Sequence, residues 1–136
     1  MEIDRIHERA TQAAHYFLKS EKDLVSSFQE VEETRNYLKY ECSSMYAYAT
    51  GILGLSENAA CTIIAVARKS KSIPELKTAI DAGILSVSTA RKIVPVVTLE
   101  NHSEWIIKAQ TLTSRELEEE IVRISPQQAV RERLSP

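Results

Sequence analysis

LGLSENAACTII, residues 53–64, is the stretch on which the reading of this chain turns. Gly54 can end one helix, because glycine enters the left-handed backbone region without the strain a side chain meets there. Ser56 can then open the next, its hydroxyl accepting from the free N–H groups of the first turn. Ala59 and Ala60 are small enough to let the second helix lie close against the first. Ile63 and Ile64 supply its inward anchor three to four residues on. The result is a helix-turn-helix arrangement from Met45 to Arg68.

Helical periodicity continues in both directions. Upstream, Ser43 or Ser44 can cap a helix carrying Met45, Tyr48, Ala49, Ile52 and Leu53. Before that, Ile3, Ile6, Ala10, Ala13, Ala14, Phe17 and Leu18 recur at helical spacing, and Leu24, Val25, Phe28, Val31 and Leu38 extend the stripe. Ser20 with Asp23 offers a weak cap between the two sets, which predicts helices over 3–18 and from 20 to about 39. No Gly or Pro separates them, so one long rod is the alternative. Downstream, Pro74 opens a helix that Gly83 ends, and Ser86 or Ser88 starts a short one stopped near Pro95. Residues 100–109 form another around Trp105. Thr113 with Glu116 is a capping box for a last helix to Ile124, which Ser125-Pro126 breaks. Strand signals are absent; the valines at 94, 96 and 97 are interrupted by Pro95. These spacings predict an all-α, multi-helix domain containing a helix-turn-helix. Residues 1–42 make a long helix or helical hairpin, 43–124 the helix-turn-helix-containing part, and 125–136 a tail or linker.

Composition narrows the function classes. The 136 residues are 43% hydrophobic and 26% charged, an ordinary balance for one globular domain. Cys42 and Cys61 are too far apart for a C-x-x-C pair, and no histidine joins them at ligand spacing, so neither metal nor cofactor is expected. His7 and His15 lie eight residues apart, whereas metal pairs on a helix favour closer spacing. Ser43-Ser44 has no neighbouring base and reads as capping chemistry. The carboxylates Glu118, Glu119 and Glu120 read as a solvated face. Tyr40, Tyr46 and Tyr48 can stack on bases or pack inward with hydroxyls turned to water. No catalytic set emerges, so the chain is not expected to be an enzyme. It carries no signal-like or membrane-length apolar run and is expected in the cytoplasm, off the membrane.

The net charge of -2 does not announce nucleic acid, but its distribution is uneven. Residues 43–99 carry a net +3, between blocks of -3 and -2. If the helix-turn-helix reads double-stranded DNA, its second helix presents Glu57, Asn58, Cys61 and Thr62 from its first turns. Asn58 can pair with adenine, and Thr62 can meet a thymine methyl or a phosphate. Arg68, Lys69, Lys71, Arg91 and Lys92 are the candidate phosphate contacts. Alternatively, the cations at the end of that helix simply complement its dipole. A rod over 3–39 has an apolar stripe that a small domain cannot cover, which points to a homodimer through the N-terminal helices.

Two likenesses bear on this. Gly83-Ile84-Leu85-Ser86, followed by Ala90-Arg91, resembles the segment after the helix-turn-helix of ParB-type chromosome-partitioning proteins. More broadly, roughly residues 20–136 resemble the helical region that precedes the nuclease in bacterial HNH-endonuclease-like proteins. The likeness rests on the order of Ser43-Ser44-Met45-Tyr46-Ala47-Tyr48, Leu53-Gly54-Leu55-Ser56-Glu57-Asn58-Ala59-Ala60, Ile73-Pro74-Glu75, Gly83-Ile84-Leu85-Ser86-Val87 and Thr113-Ser114-Arg115-Glu116. It implies a bacterial, non-catalytic DNA-binding module at the N-terminal side of a nuclease. Arg68 matches a family arginine, but Thr62 and Ile63 stand where the family tends to carry two more. No HNH module is present in the chain, since its histidines are scattered and no strand pair can hold them.

Overall fold

The computed structural model describes residues 4–124, and every regular element among them is helical. Helix α1 spans Arg5–Thr34, and a 3₁₀ turn follows at Asn36–Tyr40. Helix α2, Met45–Ala47, runs on as a π-helical turn, Tyr48–Ile52. Then come α3 (Glu57–Ser72), α4 (Pro74–Asp81), α5 (Val87–Ile93), α6 (His102–Thr111) and α7 (Ser114–Ile124).

The long rod forms and the break at Ser20 does not. Helix α1 is 30 residues, about 45 Å at 1.5 Å per residue. Asp4 caps it by accepting from the His7 N–H, and nothing between there and Thr34 lacks a donor or opens the ladder. It stops where Arg35 enters the left-handed region at φ 54°, its N–H bonded to the Glu32 and Val31 carbonyls. Arg35 does the work of a C′ glycine without being one. No i,i+4 ion pair forms along α1 among the described residues. Pairs of that spacing sit instead at Lys77–Asp81, Lys108–Glu104 and Arg115–Glu119.

The glycine corner forms as expected. Gly54 has φ +76°, and Leu55 N–H turns back to the Ala49 carbonyl. Ser56 accepts from Ala59 N–H and so caps α3. Ser44 and Ser86 do the same for α2 and α5. Thr113 and Glu116 exchange both bonds of the capping box ahead of α7. The segment before Gly54 differs from expectation: it is a single α turn widened into a π turn rather than a regular helix.

Helix α3 is the hub. Ala60, Ile63, Ile64, Val66 and Ala67 are all buried. They meet Val25 and Phe28 of α1, with Leu76 and Ile80 of α4 and Val87, Ala90 and Ile93 of α5 completing the same core. Trp105 and Leu117 close it from α6 and α7. Ser70, also buried in α3, has no hydrogen-bond partner for its hydroxyl among the described residues.

Candidate functional site

Two surfaces stand out, and they belong to different helices. The first is the outer stripe of α3. With the hub packed from several sides, Glu57, Asn58, Cys61, Arg68, Lys71 and Ser72 remain exposed, while Thr62 and Lys69 are half-buried. At 100° per residue, Asn58, Cys61, Arg68 and Ser72 follow one line along the helix. The line is open at its two ends, and between Cys61 and Arg68 only the half-buried Thr62 and Ala65 reach solvent.

The electrostatics of that stripe are mixed. Arg68 Nε lies 2.7 Å from Glu32 Oε1 of α1, and beside it Gln29 donates from Nε2 to the Ala67 carbonyl at 3.0 Å. Arg68 thus tethers α3 to α1, and a phosphate would have to compete with a carboxylate for it. Lys92 on α5 donates to Ser114 and lies 3.4 Å from Glu118, so α7 already holds it. Arg91 is half-buried on the same helix. Lys69, Lys71 and Arg91 have no acidic partner among the described residues. At the other end of the stripe, partial desolvation raises the Tyr46 hydroxyl pKa, and the Glu57 carboxylate and nearby Cys61 push it the same way. Glu57 favours the α3 N-terminus through the helix dipole but repels phosphate where bases would be read. The structure therefore places exposed Asn58 and half-buried Thr62 and Lys69 on the outer side of α3, and of the remaining candidate cations Arg68 and Lys92 are engaged while Lys71 and Arg91 are not.

The second surface is the first half of α1. Every residue from Asp4 to Ser20 is exposed. Ile6 is 82% exposed, Phe17 62% and Tyr16 60%, and Leu18 is also well open to solvent. Against this half, the corner between α4 and α5 forms a recess of about 350 Å³ lined by His15, Leu18, Lys19 and Lys22 on one side and Gly83 and Leu85 to Val87 on the other. Sequence reasoning missed this recess. Its signal was the stacking of His15, Lys19 and Lys22 at helical spacing on one face of a single helix. Partial burial pushes the neighbouring Glu21 carboxyl above the usual carboxylate range.

Among the described residues no three His, Cys, Asp or Glu side chains gather in a way that could hold a metal ion. No described helix is long and apolar enough to cross a membrane. Comparison with protein-family models, with curated proteins and with solved structures returns no match.

Proposed function

We propose that this chain is a non-catalytic helical binding module whose partner-binding element is the projecting half of α1. One observation carries the reading. A solvated helical segment of this length is marginal in water by itself, and most helical stability comes from packing an apolar face. Residues 4–20 pack no such face, yet they carry Ile6, Phe17 and Leu18 at the surface. A partner helix or groove would convert that exposed area into burial worth about 25 cal/mol per Å². Amide hydrogen exchange on dilute protein tests this. Residues 4–20 should exchange nearly as fast as an isolated helix, while Val25 to Val31 exchange as slowly as α3. Equal protection of both halves in the dilute monomer would remove the proposal.

DNA binding through α3 is the second reading. It is favoured by the outer side of α3, where Asn58 is exposed and Thr62 and Lys69 are partly so, and the resemblance to the HNH-associated helical region points the same way. If Lys69, Lys71 and Arg91 each neutralise a phosphate, affinity for generic duplex DNA should fall roughly 40-fold between ~50 and ~200 mM salt. Fluorescence anisotropy measures this, and an affinity indifferent to salt discards it.

A further inference from the structure

We propose that the occupant of the exposed α1 face is a second copy of this chain, laid antiparallel so that residues 6–24 of the two helices overlap. The inference rests on the reading of α1 as the docking element and names its partner.

The apolar face has a heptad rhythm. Ile6, Ala10, Ala13, Phe17, Ser20 and Leu24 follow one another at spacings of four, three, four, three and four, the seam of a two-helix coil. All are exposed except Leu24, which is half-buried and leans on the core, so the seam joins the domain's own apolar interior. In an antiparallel pair centred on residue 15, Phe17 sits against the partner's Ala13, Ile6 against the partner's Leu24, and Ala10 against the partner's Ser20. Each large side chain except the Ile6–Leu24 pair at the ends meets a small one, which lets the helices approach closely.

Charge selects the same arrangement. On the flanks, Arg9 faces the partner's Asp23, and His7 faces the partner's Glu21. Two-fold symmetry repeats both contacts. Arg9, Asp23 and His7 are exposed and carry no ion pair among the described residues. A parallel pair would stack Phe17 on the partner's Phe17 and place Arg9 opposite the partner's Ala14, with no opposite charges joined. Sliding the antiparallel pair one heptad toward the N-terminus places Arg9 opposite the partner's Tyr16 and loses the pairs. Sliding it one heptad the other way needs Val31, already packed against the core, opposite Ile6, and sets core-committed Phe28 beside His7.

The overlap is about 28 Å long, which sits at the small end of stable interfaces, so dimer formation should be concentration-dependent in the micromolar range. Sedimentation equilibrium on the full chain is the test, with dimer expected at ~100 µM and monomer at ~1 µM. Phe17→Glu should abolish the dimer while leaving the thermal transition of the dilute monomer unchanged, since Phe17 touches no core. Arg9→Asp and Asp23→Arg should each weaken association about tenfold, and combining them should restore it. A dimer that tolerates Phe17→Glu overturns the proposal, and so does a double charge swap that fails to rescue. A chain that stays monomeric at high concentration while residues 4–20 exchange freely overturns the self-pairing and leaves the docking element in place. A monomer in which those residues are protected overturns both.

Discussion

Helix α1 is two regions in one hydrogen-bonded ladder, and its halves obey different rules. In the second half, Val25 and Phe28 are essentially inaccessible, and Gln29 and Glu32 bond to α3. In the first half, no side chain is buried, and the residue types are nevertheless those of a buried stripe. The difference teaches that helical periodicity reports an apolar face, not what covers it. Where the domain supplies the cover, the face is structural. Where it does not, the face is available for recognition.

Substitutions can break or sharpen that contrast. The largest effect is expected from Phe28→Ala, which should cost about 3–5 kcal/mol by loss of burial and an unfilled cavity, read by urea denaturation. Its counterpart Phe17→Ala should fall within ~0.5 kcal/mol in the dilute monomer. Equal effects would mean that the two halves are not distinct. Ser56→Ala removes the cap that starts α3 and should cost about 1 kcal/mol, whereas Asp4→Ala, at the free end of α1, should lower helicity by circular dichroism without moving the global transition. Arg35→Gly should stabilise by about 1 kcal/mol, because the left-handed conformation at that helix end no longer strains a side chain. Ser70→Ala should gain up to about 1 kcal/mol by removing a buried hydroxyl without a partner.

The smallest effect concerns acid. The Thr113 N–H donates to Glu116 Oε1, and this bond, with a smaller contribution from the Thr113 hydroxyl, holds the Glu116 carboxyl below the usual carboxylate range. A depressed folded-state pKa gives stability that is present above the ordinary carboxylate pKa and is lost as pH falls through the folded value. Glu116→Gln should therefore flatten the acid limb of the melting temperature against pH and leave the neutral region nearly unchanged.

How much of this was legible in sequence follows from range. The caps at Ser44, Ser56, Ser86 and Thr113, the corner at Gly54 and the end at Gly83 are contests between neighbouring groups, and their residues announce them. Ser20 looked like a cap, but a hydroxyl inside a helix is tolerated when no glycine or proline frees the backbone around it. Arg35 gave no signal because any residue can occupy the left-handed region once the tertiary structure requires it. The site was less legible than the fold. Arg68 and Glu32 are 36 residues apart, the α1 cations and the α4–α5 corner are further apart still, and no local pattern reveals which charge finds which partner. Exposure of Asn58 could be read from its place in the first turn, whereas the engagement of Lys92 by α7 could not.

An unbroken α-helix is also a ruler. Because α1 has no hinge, whatever grips its tip is held at a fixed distance and angle from α3, which Gln29 and Glu32 fasten to the other end. In a pair centred on residue 15, the two attachment points at Gln29 are set roughly 40 Å apart.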